Sequence, residues 1–259
     1  MSTNMLMKMN DEKLYRLRLV NTKILSFFLV RMAFVRCVIL NGSMASGQVK
    51  APSDIDLLII AKSGRIFTAR FLSLFITYLT GLKRGKDDKR HGGKFCLNYF
   101  LTEDFLTIPH NRSETMNKYC AENYSRSILM AGDEKLFNKF MQGNFNWMKR
   151  YLKSQKSKVK IAIQKSKLSV CHSEFISESQ RSRNKFLRAE SSPLDGVGMT
   201  AMERLLSGKV GDRLEKILKN IQIAKINRDP RTKKYPDLIV VSDNELRFHP
   251  PKQELRSKN

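Results

Sequence analysis

The sequence predicts an α+β protein: a mixed sheet with flanking helices, followed by a mainly helical C-terminal region that ends in a β-hairpin. Three observations carry this prediction. Apolar runs at 35–40, 55–60 and 95–101 have strand length and are bounded by turn-forming or charged residues. The segments between and after them place apolar residues at three- and four-residue steps, the period of a helix. The end of the chain, DLIVVSDNELRFHP, reads as two short strands around an Asp243-Asn244 turn.

Taken in order, residues 11–33 read as a helix whose apolar face comprises Leu14, Leu17, Leu25, Phe28, Leu29 and Met32. The run at 35–40 stops at Asn41-Gly42, a turn signal. After the 55–60 strand, residues 66–82 form a second helix with Phe67, Phe71, Leu74, Phe75, Tyr78 and Leu82 on adjacent turns. It ends at Gly81 and the basic loop KRGKDDKRHGGK. In the third strand, alternation places Cys96, Asn98 and Phe100 on one face. No strand is expected between Pro109 and the terminal hairpin: residues 112–152 read as helical, with Phe137, Phe140, Phe145 and Trp147 as core candidates. The helical period resumes at Met202, with Leu205, Leu206, Val210, Leu214, Ile217, Leu218, Ile221 and Ala224 inward and Arg204, Lys209, Arg213, Lys216 and Lys219 outward.

At 259 residues the chain can bury a sizeable core in one or two domains. Its 48 Lys and Arg outnumber 24 acids, for a net charge of +24 and a pI near 10.1. That balance favours polyanionic partners such as nucleotides or nucleic acid. Much of the excess is local, however: twelve basic residues and two acids lie between Lys149 and Arg188, which also fits a solvated basic linker. Cys37, Cys96, Cys120 and Cys171 form no C-x-x-C pair and have no zinc-like spacing with histidine. They read as reduced thiols of a cytoplasmic protein, with Cys37 and Cys96 as small buried hydrophobes. Asp11 and Glu12 precede any apolar stretch, against a signal peptide. The most apolar window, 24–40, is broken by Arg31 and Arg36 and is short for a membrane span, so no membrane partner is expected. His91, His110, His172 and His249 are scattered and receive no role.

The chemistry concentrates in NGSMASGQVKAPSDIDLLIIAK, 41–62. On a strand, residues two apart share a face, so Asp54 and Asp56 point the same way, about 7 Å apart along the chain. Ile55 points the other way, into the core. Two carboxylates at the mouth of a buried strand are costly unless something pairs with them. Paired hard oxygen ligands suit Mg²⁺ together with phosphate oxygens, and two such ions can clamp both oxygens of a phosphoryl or nucleotidyl transfer. Gly42 permits a tight turn and close backbone approach, and Ser43 can open a short helix whose hydroxyl and N–H groups face an anion. The competing structural reading has Asp54 capping a turn after Pro52-Ser53 and Asp56 in an edge ion pair.

This arrangement resembles the nucleotidyltransferase superfamily typified by DNA polymerase beta, and in particular its small bacterial nucleotidyltransferase-domain members. The signature residues are Leu40, Gly42-Ser43 and Asp54-Ile55-Asp56-Leu57, with Asn41 standing between Leu40 and Gly42. The resemblance is strongest over 35–62 and extends to about Asp104. It implies a polymerase-beta-like nucleotidyltransferase core at 10–108, followed by a helical region at 109–168. It also implies Mg²⁺, a nucleoside triphosphate substrate bound by Gly42 and Ser43, and a third carboxylate on a later strand. Asn98 stands near that third position, and Glu103 and Asp104 follow the strand; an amide can ligate a metal but cannot take a proton. Residues 169–200 are Ser-rich and aperiodic, and CHSEFISES followed by GMT resembles the translation of a palindromic repeat element inserted into some bacterial reading frames. They are expected to be a disordered insertion, with 201–249 an amphipathic helix and hairpin beyond it.

The expected activity is transfer of a nucleoside monophosphate from an NTP to a hydroxyl, with release of pyrophosphate. The alternative is a nucleotide- or RNA-binding module, or a regulatory partner, that keeps the fold without the third acid. The 83–94 loop and the basic helix face at 204–219 could steer nucleic acid or simply be solvated, and Tyr99 and Phe100 could stack a base or fill the core. Neither acceptor nor oligomeric state is legible.

Overall fold

The computed structural model describes residues 3–47, 49–83, 92–110, 114–152, 201–234 and 239–248. Among these, the strands form one six-stranded mixed sheet in the order β4-β1-β2-β3-β6-β5. The elements in chain order are α1 (Thr3–Leu29), β1 (Val35–Asn41), α2 (Gly42–Ala45), β2 (Ile55–Ala61), α3 (Ile66–Leu79) and β3 (Phe95–Thr102). Then come α4 (Glu114–Tyr124), β4 (Ile128–Gly132), α5 (Glu134–Leu152), α6 (Ala201–Leu205), α7 (Gly208–Asn227), α8 (Pro230–Lys234), β5 (Val240–Val241) and β6 (Glu245–Arg247). β2 and β3 run parallel, whereas β1 is antiparallel to both β2 and β4, and β6 is antiparallel to β3 and β5. The α+β expectation holds, and the C-terminal hairpin joins the same sheet through β6. No helix of the described residues is long and apolar enough to cross a membrane.

β1 and β2 are apolar almost throughout because both faces of the sheet are covered. One face carries Val38, Leu40, Leu57, Ile59, Leu97 and Phe100 against α1, α3 and α7. The other carries Cys37, Ile39, Leu58, Ile60, Tyr99 and Leu101 against Met116 and Cys120 of α4 and Phe140 and Trp147 of α5. Buried Asn144 is fully satisfied within that second layer, accepting from Ile108 N and Trp147 Nε1 and donating to the carbonyls of Leu106 and Phe140.

Three expectations are corrected. A strand does form between Pro109 and the hairpin: β4 pairs with the outer side of β1, and its short unbroken run Ile128-Leu129-Met130-Ala131 has no alternation to tell strand from helix. In β3, Phe100 does not share a face with Cys96, because a bulge between Leu57 and Leu58 leaves Asn98 out of the register and resets the alternation. In the helices, the large apolar residues are not all inward. Leu17 and Phe28 of α1, Phe71, Phe75 and Tyr78 of α3, and Leu205, Val210, Ile217 and Ile221 of the α6–α7 segment are exposed. On α3 the buried side is Ile66, Phe67, Ala69, Ser73 and Thr77, a mostly small set at helical spacing that lets the helix lie close to the sheet. On α7 it is Gly211, Leu218, Gln222 and Ile226.

Hydrogen bonds explain why α7 turns this mixed stripe inward. Glu215 accepts from the backbone N–H groups of Phe67 and Thr68, both at 2.9 Å, and from the Thr68 hydroxyl. Arg65, at the N-cap of α3, makes no side-chain capping bond, so Glu215 caps α3 from another helix and places a negative charge at its positive end. Gln222 donates to Phe67 O at 2.8 Å and accepts from Arg70, whose guanidinium burial pushes down to about 10. Glu215→Ala leaves two helix-end N–H groups without this partner and is expected to cost about 1–3 kcal/mol, read as a lower urea midpoint at unchanged m-value.

At the end of the sheet remote from Asp54, Arg36 of β1 bonds Glu203 through Nη2 at 2.6 Å and Nη1 at 3.2 Å, and approaches Glu103 at 3.4 Å. Burial opposes the charge on Glu203, but the hydrogen bond and charge of Arg36, joined by Lys62, outweigh it and hold the carboxyl below the usual range. A depressed carboxyl contributes stability that is present above its unfolded value, near 4.5, and is lost as pH falls through the lower folded value. Glu203→Gln is therefore expected to flatten the loss of Tm on acidification below that value, while lowering Tm at neutral pH.

Candidate metal centre

The aspartate pair sits where the parallel strands β2 and β3 begin. Asp54 immediately precedes β2, and Asp56 is its second residue, paired in register with Asn41 on one side and Cys96 on the other. Backbone bonds from Ile55 N to Lys94 O at 2.9 Å and from Gly93 N to Ser53 O at 3.0 Å carry the alignment back past the strand ends. One ligand atom each from Asp54, Asp56 and Cys96 lies within 4.8 Å of the others. Asp54 is buried, and Asp56 and Cys96 are half-buried.

Gly42 closes one wall. Its φ of +68° is a conformation that side chains disfavour, and a Cβ built there would stand 2.6 Å from Asp56 Oδ2. Glycine lets the β1–α2 corner approach this carboxylate without displacing it. Ser43 follows, half-buried at the start of α2, with its carbonyl accepting from Ser46 Oγ. Asn41, the residue that interrupts the expected Leu-Gly-Ser order, is buried and structural: its Oδ1 accepts from Ser127 Oγ and ties β1 to the start of β4.

The two third-acid candidates part company. Asn98, in the bulge, donates its amide to Asp56 Oδ1 at 3.3 Å, so it braces a carboxylate of the pair. Glu103 lies beyond the other ends of β2 and β3, its N–H bonded to Ala61 O and its carboxylate to Arg36 and Ser63 N. Ala61 is five residues along β2 from Asp56, roughly 16 Å of strand. Asp104 belongs to the same far end, where hydrogen bonds from Ser63 and Thr102 hold its carboxyl below the usual range. The residue beside Asp56 is Cys96.

Two further side chains belong here and were missed in the sequence. Arg18 of α1 donates to Lys50 O at 2.9 Å and Ala51 O at 2.6 Å, pinning the loop between α2 and β2. Burial lowers the Arg18 pKa and the charge of Asp54 opposes that, so the guanidinium also offsets charge at the pair. Tyr119 of α4 feels the charge of the pair: burial first, then Asp56, Cys120 and Asp54, push its phenol well above the ordinary value, so its hydroxyl stays neutral. A signal for Arg18 existed, because Leu14, Arg18, Thr22, Leu25 and Leu29 follow one helical stripe.

The other candidates are structural or lie outside the described residues. Tyr99 and Phe100 are core residues. His110 stacks on Trp147 with centroids 5.3 Å apart. Cys37 donates to Asp133 O, and burial pushes its thiol up to about 12. Of the basic loop, Lys83 forms a bridge with Phe95, and 84–91 lie outside the described residues. So do the 169–200 segment with Cys171 and His172, and also Leu238 and His249.

No protein-family model matches the chain, and no curated protein matches it. Among solved structures, one described as a crystal structure of the toxin-antitoxin with AMP-PNP is similar at a TM-score of 0.28 and 11% identity, over 64% of this chain and 98% of that one.

Proposed function

We propose that the chain is a divalent-cation-dependent nucleotide-binding protein that transfers a nucleoside monophosphate from an NTP to a hydroxyl acceptor. The observation that carries this reading is the convergence of Asp54 and Asp56 against a glycine corner where any side chain would crowd the Asp56 carboxylate. The donor set fits a divalent cation: two carboxylates and a thiol with ligand atoms within 4.8 Å, two of the three groups half-exposed. A bound cation would supply charge stabilisation to phosphate oxygens. Asp54 and Asp56 hold it from the mouth of β2, Asn98 fixes the Asp56 carboxylate, and Arg18 limits the local negative charge. Gly42 and Ser43 would bind the triphosphate next to Asp56. In the transfer, the acceptor oxygen bonds to the α-phosphorus, the bond to pyrophosphate breaks, and the hydroxyl proton passes to a carboxylate of the pair.

The second reading, a nucleotide-binding regulatory module without transfer, is favoured by one observation: the third member of the cluster is a thiol instead of a carboxylate. Incubating the chain with each labelled NTP and a divalent cation, with and without RNA and protein extract, separates the two. Pyrophosphate release with label transfer supports the enzyme. Cation-dependent binding without release supports the module. Neither signal overturns both.

A further inference from the structure

We propose that Cys96 is the third ligand of this centre, and that its thiolate gives the site a preference for thiophilic divalent cations such as Co²⁺ and Zn²⁺ over Mg²⁺. This rests on the reading of Asp54 and Asp56 as metal ligands and specifies their partner and their ion.

Cys96 is the register partner of Asp56 across the parallel β2–β3 pair, and neighbouring residues on parallel strands share a face. Its sulfur is close enough to both carboxylates for one ion to touch all three groups, since the three ligand atoms lie within 4.8 Å of one another. The other described cysteines are placed differently. Cys37 and Cys120 are buried in the layer under α4 and α5, and Cys37 Sγ already donates to a backbone carbonyl. Cys96 alone of these three is half-exposed, and none of them is in a disulfide. Asn98 does not compete for the place. The bulge removes it from the register, and its amide donates to Asp56 Oδ1, so it supports a ligand. The position beside Asp56 that faces the ion belongs to the thiol.

Ligand chemistry then selects the ion. Mg²⁺ demands hard oxygen ligands in near-octahedral geometry and gains little from sulfur. Thiolates favour softer and later divalent ions, and two carboxylates with one thiolate give a mixed set that suits them. The thiol gives up its proton as the ion binds, so binding at this centre releases a proton.

Cobalt is the probe, because a Co²⁺–thiolate bond has a near-ultraviolet charge-transfer band that carboxylate ligation lacks. The full chain is titrated with Co²⁺ and then challenged with Zn²⁺ and Mg²⁺. The expected result is a saturable band, displaced by Zn²⁺ at far lower concentration than by Mg²⁺. Cys96→Ser should lose the band and weaken Co²⁺ binding by at least about 10- to 100-fold, the loss that removal of even an outer-shell partner causes. Cys96→Asp should keep cation binding without the band and shift the preference toward Mg²⁺, which also controls for folding. No band in the wild type, with cation-dependent NTP binding intact, overturns the Cys96 assignment and leaves the proposed function standing. A band that persists in Cys96→Ser overturns it by placing the ion on another cysteine. A wild-type chain that binds neither cation nor nucleotide overturns both.

Discussion

Replacing Asp54 and Asp56 together with asparagine is expected to reduce nucleotidyl transfer by about a thousandfold or more, while leaving the cation-free protein at least as stable as the wild type. The first part follows from the loss of the cation, whose charge stabilisation is worth several kcal/mol, each 1.4 kcal/mol being about tenfold in rate. The second follows from the cost of the pair. At the separation the structure gives, within 4.8 Å, two like charges repel by on the order of 3 kcal/mol at an effective dielectric of about 20, less where water reaches Asp56. Arg18 and Asn98 offset part of that. Asparagine removes the repulsion at nearly constant volume. Thermal unfolding with and without a divalent cation checks both parts: the wild-type Tm should rise on adding the ion and the variant's should not. A variant that loses activity and also unfolds at markedly lower temperature would place the aspartates in a structural role.

Gly42→Ala is expected to remove cation-dependent nucleotide binding at a modest cost in stability. The alanine must hold φ near +68°, which costs roughly 1–2 kcal/mol. Its Cβ would stand 2.6 Å from Asp56 Oδ2. Something must move, and the movable group is the carboxylate itself, so the damage falls on the ligand. Gly47→Ala is the matched control. Gly47 also has a positive φ, +72°, but a Cβ at that position would meet nothing within 4 Å. This variant bears the backbone cost alone and should bind as the wild type does. Equal binding by both variants would separate Gly42 from the site.

What the sequence made legible was whatever depends on local pattern. The apolar runs of β1 and β2 are unambiguous because both faces are covered, and Asp-Ile-Asp at a strand mouth is visible without a structure. What it hid depends on register and on choice between helix faces. A single bulge moved Asn98 out of line and left Cys96 beside Asp56, and counting by twos cannot see a bulge. Glu103 looked near in sequence but belongs to the far end of a parallel pair. On α7 the more apolar stripe was expected inward, yet Glu215 and Gln222 hydrogen-bond α3 and turn a mixed stripe in, leaving Val210, Ile217 and Ile221 exposed. β4 escaped notice because an edge strand flanked by helices, half-buried along its length, carries little periodic signal.

Central to the proposed function is that Asp54, Asp56 and Gly42 form a site where a divalent cation and a nucleotide bind together. Calorimetric titration of ATP into the full chain, once with a divalent cation and once with a chelator, tests this most directly. The predicted result is saturable binding with the cation that disappears with the chelator. Binding of equal strength in both titrations, or none in either, would contradict it.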